Sequence, residues 1–198
     1  MSAGTVTVFE PNVRWGPSAR GRLGMYCLIA AEVAIFSIFV VAYLFYLGKS
    51  LSGPTPQQVL HVPVLFTICL LSSSLTIHLA VRSLRKAKTG AFARWWFLTL
   101  FLGATFLAGT AMEWRHLIYD EGLTIQTNLF GTTYYSLVGL HAFHVLMGLL
   151  ALSTVWLFAM FGKVRNEHAE RIDTLALYWH FVDTVWVVVF LIVYVIGR

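Results

Sequence analysis

A few side chains in this sequence have the chemistry to carry protons or grip a metal, and they recur at helical spacing. His180 and Asp183 stand three residues apart in "LYWHFVDTVW", so on a helix they share one face. Imidazole and carboxylate placed in this way form either a packing clasp, each offsetting the other's desolvation, or a proton-relay pair. Glu32, in "AAEVAIF", has Leu28, Ile29, Ile35 and Phe36 as its helical neighbours and no polar partner on its own turn. A carboxyl so placed serves proton handling or an interhelical hydrogen bond. "HAFH" sets His141 and His144 on one face at a spacing that suits a metal, while His78 lies in "LTIHLAV" and Glu113 and His116 in "AMEWRHL". Haem ligation takes two histidines on facing helices at matched depth, and His78 with His180 comes nearest to that.

The elements that must carry these residues are membrane spans. Of the 198 residues, 58% are hydrophobic and 12% charged, half the roughly 25% charge of soluble domains. Five runs exceed the ~18 residues needed to cross a bilayer: about 23–47, 61–81, 95–117, 131–161 and 174–196. The expected fold is therefore all-α, a polytopic bundle of five transmembrane helices, preceded by an N-terminal segment over residues 1–20 and occupying 21–198. The first run is too long for a secretory signal and reads as a retained helix. Ala104, Ala108 and Ala111, and Ser72 and Thr76, recur at helical spacing and predict close backbone approach. Trp95 and Trp96 read as an interfacial aromatic belt. Cys27 and Cys69 belong to no CxxC pair and read as packing residues.

The formal charge of +5 does not point to nucleic acid, because the basic residues cluster between the apolar runs. Arg14, Arg20, Arg22, Arg82, Arg85, Lys86, Lys88, Arg94, Lys163, Arg165 and Arg171 fall on one side, and Lys49, Arg115 and Arg198 on the other. The positive-inside rule then predicts a cytoplasmic N-terminus and a periplasmic C-terminus. At about 1.5 Å per residue, Glu32 and Asp183 lie roughly 13 Å from the cytoplasmic side, His180 roughly 9 Å and His78 about 5 Å. His141 and His144 fall in the middle or outer half, and Glu113 and His116 at an outer, solvated end. No internal repeat is visible, which counts against repeat-built transporters.

These stretches resemble a known family, subunit III of the haem-copper terminal oxidases. "LGMYCLIAAEVAIFSIFVVAYLFY" looks like its first shared helix, with Glu32 at the characteristic buried glutamate. "LLSSSLTIHLAV" resembles the serine-rich helix that follows, and "LGATFLAGTAMEW" the next, with Glu113 at a second recurring acidic position. "GTTYYSLVGLHAFHVLMG" and "YWHFVDTVW" carry the likeness most specifically. The chain departs at Ala31, where many members have Ser, at Ala142, where many have Gly, and at Trp114, where many have Tyr. It lacks the first two helices of the seven-helix form and resembles the short bacterial form.

The resemblance implies a non-redox accessory subunit in a bacterial cell membrane, with no catalytic, cofactor-binding or metal residues of its own. Haem and copper would sit in partner subunits, and cytochrome c oxidase is expected ahead of quinol oxidase. The implied partners are the catalytic subunit I, subunit II and membrane phospholipids, with room for a respiratory supercomplex. Glu32, His180, Asp183 and His78 become buried polar or proton-uptake candidates. His141, His144 and Glu113 become structural or lipid-facing ones. The alternatives are a haem-carrying cytochrome, a nitric oxide reductase subunit, and a proton-coupled transporter with Glu32 as its coupling site.

Overall fold

Without water to satisfy peptide groups, a segment in lipid must pair its own backbone, and here it does so as helices. A computed structural model describes residues 17–50 and 53–197, with side chains from Arg20 onward. Most of the expected N-terminal segment, with Arg14, and the terminal Arg198 lie outside the described residues. The chain order is α1 (Pro17–Tyr46), a short α2 (Pro56–Val59), α3 (Val64–Arg85), α4 (Thr89–Tyr119) and α5 (Leu129–Met160). A 3-10 turn (Asn166–His168) then opens α6 (Ala169–Phe190), whose last residues relax into a π-helix (Leu191–Ile196). Five of these helices are long and apolar enough to cross a membrane, so the chain is a multi-pass all-α membrane protein.

The helices run past the predicted ends. Arg22, Arg82, Arg85, Arg94 and Arg171, assigned to connections by composition, ride on terminal helical turns instead. Long basic side chains can reach headgroup level from such positions, so the backbone need not end where hydrophobicity does. The connections are tight. Between α3 and α4 the chain reverses through Ala87, at φ 55°, with the amides of Ala87 and Lys88 bonded to Leu84 O and Ser83 O at 2.9 and 3.0 Å. Asn128 caps α5 by accepting from the Gly131 amide at 2.8 Å, and its Nδ2 donates to Pro54 O at 3.1 Å. That second bond fastens the α1–α2 connection to the start of α5.

Packing makes α6 the hub. It contacts α1, α3 and α5, while α4 lies between α3 and α5. Among the described residues, Trp96, Trp179, Trp186, Tyr43, Tyr134, Phe92 and Phe106 are the largest fully buried side chains of the bundle. Each buried tryptophan among them finds an acceptor: Trp96 Nε1 on Leu152 O (2.9 Å), Trp179 Nε1 on Ser73 Oγ (2.8 Å), Trp186 Nε1 on Thr67 Oγ1 (3.2 Å). The expected aromatic belt is thus half corrected: Trp95 is partly exposed, but Trp96 is a core residue. The alanine stripe is corrected too. Ala104, Ala108 and Ala111 face outward, and Gly103 and Gly109 are the residues against which Trp179 and Phe66 pack. Thr76, by contrast, does face a neighbour, meeting Thr99 Oγ1 of α4 at 2.8 Å.

Candidate functional site: a buried polar network

Most of the residues singled out by chemistry fall into three hydrogen-bonded groups and one isolated ring. The first group joins α6 to α3. His180 and Asp183 share a face, as their spacing predicts, but the direct clasp between them is not what forms. Ser74 of α3 stands between the two, its Oγ 2.9 Å from His180 Nδ1 and donating to Asp183 Oδ2. The correction has a geometric cause: side chains three apart on a helix run roughly parallel, and a hydroxyl from the facing helix bridges their ends. Asp183 is buried, and its Oδ1 has no partner among the described residues.

Next to this group a polar cleft of about 300 Å³ opens at the end of the bundle where α1 begins. Arg22, Tyr26, His78, Asp173 and His180 line it. Asp173 takes Arg22 at 2.5 Å and Arg85 at 3.0 Å, so one carboxylate of α6 binds α1 and α3 at the cleft mouth. His78 and His180 therefore do share a cleft, from different helices. Among the described residues, no three His, Cys, Asp or Glu side chains gather as a metal site would require.

The second group supplies the partner that Glu32 lacks on its own turn. Glu32 Oε2 of α1 lies 3.0 Å from His144 Nε2 of α5. His144 Nδ1 is 2.7 Å from Leu140 O, one turn back. A carbonyl only accepts, so Nδ1 carries hydrogen, and one further proton lies between Nε2 and Glu32. Tyr178 of α6 donates to His144 O at 3.3 Å, bringing a third helix to the pair.

The third group lies toward the other end. Tyr194, on the π-helical turn, donates to Glu113 Oε1 of α4 at 2.9 Å, and Tyr134 Oη of α5 stands 3.4 Å from Tyr194 Oη. Glu113 is thus no solvated end; its neighbour His116 is, exposed and 2.7 Å from Asp120. His141 joins no group. Fully buried, it stacks on Trp186 (centroids 4.9 Å, planes 28° apart) and meets Phe106 edge-on at 5.8 Å, with both ring nitrogens unpartnered among the described residues. The lipid-facing alternative therefore fails for His141 and for His144, since both point into the bundle.

Sequence reasoning missed Ser74, Tyr134 and Tyr194. Signals existed for all three: Ser74 is one turn before His78, Tyr134 is two turns before His141, and Tyr194 is three turns after Asp183.

The fold and this network define a class: a multi-pass helical bundle whose buried acids are hydrogen-bonded across helices to a histidine, a serine or a tyrosine. Residues 17–198 match the family described as cytochrome c oxidase subunit III. A cytochrome c oxidase subunit 3 from Synechocystis is 37% identical over 97% of this chain and 82% of its own. One from Alkalihalophilus pseudofirmus is 33% identical over 88% and 86% respectively. A quinol oxidase subunit 3 from Bacillus subtilis is 28% identical, also over 88% and 86%. The chain belongs to the cytochrome c oxidase subunit III family.

Proposed function

We propose that the chain serves as the non-redox accessory subunit III of a haem-copper terminal oxidase in a bacterial cell membrane. It packs beside the catalytic subunit I and near subunit II, which hold the haems and copper. The observation that carries this reading is the family match over residues 17–198. The network adds support, because Glu32 is engaged by His144, Asp183 and His180 by Ser74, and Glu113 by Tyr194. The basic residues at the α3–α4 turn and beside the cleft favour a cytoplasmic placement for that end, hence a cytoplasmic N-terminus. An apolar groove of about 380 Å³ between α1 and α6, lined by Val33, Phe36, Val40, Phe181, Val185 and Val189, has the chemistry for a phospholipid chain. Glu32, paired with His144, is the candidate for the proton-uptake and durability role.

Purification of the tagged chain from its native membranes tests the reading. The expected preparation contains larger subunits with haem and copper, and it reduces oxygen. Recovery of the chain with no haem-bearing partner would overturn it. The donor follows from the same preparation: cytochrome c and quinol, offered in turn, separate the two oxidase types named among the relatives.

A further inference from the structure

The cleft and the bridging serine suggest more than a structural tie. We propose that His180, Ser74 and Asp183 form a proton relay connecting the polar cleft to a buried carboxyl, with Ser74 as the bridging residue. The proposal deepens the proton-handling part of the function above and shares its membrane orientation.

The route is continuous in the structure. The cleft reaches the His180 ring, His180 Nδ1 meets Ser74 Oγ at 2.9 Å, and Ser74 meets Asp183 Oδ2. Ser74 has a single hydrogen and gives it to Asp183, so its lone pair accepts from His180 Nδ1. His180 Nε2 remains for the cleft. A proton arriving at Nε2 makes the ring an imidazolium. Its Nδ1 proton then passes to Ser74 Oγ while the Ser74 hydroxyl proton passes to Asp183 Oδ2. The products are a neutral imidazole bearing Nε2–H, an intact hydroxyl and a carboxylic acid. One proton has moved from cleft to carboxyl, and the reverse sequence returns it.

The surroundings suit that traffic. From α1, Arg22 and Tyr26 face the cleft; from α3, His78 lines it and Arg85 reaches Asp173; from α6, Asp173 and His180 complete it. Arg22 and Arg85 neutralise Asp173 at the mouth, leaving His78 and His180 as its imidazoles. Asp183 Oδ1 is buried and has no hydrogen-bond partner among the described residues. That free oxygen lets the acid accept or release a proton without breaking a second bond.

The chain holds only three aspartates, Asp120, Asp173 and Asp183, which makes the test tractable. The full chain, labelled with carbon-13 at its aspartate carboxyls, is reconstituted in lipid nanodiscs. Infrared spectroscopy follows the labelled carboxyl bands after a pH jump, and the band lost in Asp183→Asn belongs to Asp183. Ser74→Ala keeps both ends and removes the bridge. It is expected to slow the Asp183 response by on the order of tenfold or more, the factor given by a barrier about 1.4 kcal/mol higher. Ser74→Thr, which keeps the hydroxyl, restores the parental rate. His180→Phe preserves the Ser74–Asp183 bond that ties the helices and is expected to slow the response in the same way. Parental rates in Ser74→Ala or His180→Phe overturn the relay, as does a missing pH-responsive band for Asp183. Either result leaves the assignment as subunit III untouched, because the readout needs neither turnover nor partner.

Discussion

Trp179 is held between two glycines, and Gly148→Ala is the perturbation that tests what this means. A Cβ on Gly148 of α5 would stand 2.8 and 2.9 Å from Cζ3 and Cε3 of the indole. One on Gly103 of α4 would stand 2.9 Å from its Cη2 and Cζ2. Comfortable carbon contacts lie at about 3.5–4.0 Å, so the ring would have to retreat by roughly 0.6 Å. It has nowhere to go, because α4 blocks the far side and Ser73 holds Nε1 at 2.8 Å. Overpacking of this sort costs about 1–3 kcal/mol, and loss of the Nε1 bond adds about 0.6 kcal/mol, the average found in bilayers. Against this, alanine is about 1 kcal/mol more favourable than glycine inside a helix. The balance is a net destabilisation of roughly 0.6–2.6 kcal/mol.

Reversible unfolding in mixed detergent micelles measures it. Trp179→Phe removes the ring atoms that the new methyl meets, so Gly148→Ala should cost less in that background. The double-mutant cycle is expected to give a coupling of about 1 kcal/mol or more. Were Gly148→Ala to stabilise the chain, or the two changes to add, helix propensity would outweigh packing here. The close-approach argument for α4, α5 and α6 would then be refuted.

Other predictions follow from the polar groups and one turn. Glu32→Gln keeps a donor for His144 Nε2, so the oxidase is expected to assemble normally yet lose proton-uptake rate or resist turnover inactivation less well; parental behaviour in long turnover assays would make Glu32 structural. Asp183→Ala strands Ser74 and is expected to cost about 1–2 kcal/mol, read as reduced recovery of intact complex; normal yield and melting would remove the α3–α6 tie from the stability account. Ala87→Gly relieves a left-handed backbone at φ 55° and is expected to stabilise by about 1 kcal/mol, measured by the same micelle unfolding.

The five spans were legible because length and hydropathy need no neighbour to be read. Their ends were less so: Arg85 and Arg171 look like loop residues to a composition count, yet helices continue through them. Side-chain placement depends on the rotation of each helix about its axis, and near-uniform hydrophobicity leaves that rotation almost unmarked. Hence Ala104, Ala108 and Ala111 seemed to face inward while the neighbouring Gly103 and Gly109 do so. The site residues were found by type and depth, since a charged group in an apolar run is conspicuous. Their partners were not, because Glu32 and His144 are 112 residues apart and only tertiary packing joins them.

That difficulty follows from the solvent. In water, burying apolar surface would drive the helices together, and the apolar faces would mark which sides meet. In lipid that drive is nearly absent, and orientation falls to close packing and a few polar contacts. Here several of those contacts converge on one helix. From α6, Asp173 reaches α1 and α3, Trp179 reaches α3, Tyr178 reaches α5, and Tyr194 on its π-helical continuation reaches α4. A rotation of α6 by one residue, about 100° on a helix, would break all of these at once. The polar side chains that make the network a candidate for handling protons are therefore also what fixes the bundle's geometry. A substitution that removes only a titratable proton, such as Glu32→Gln, separates the two roles, whereas truncation to alanine disturbs both.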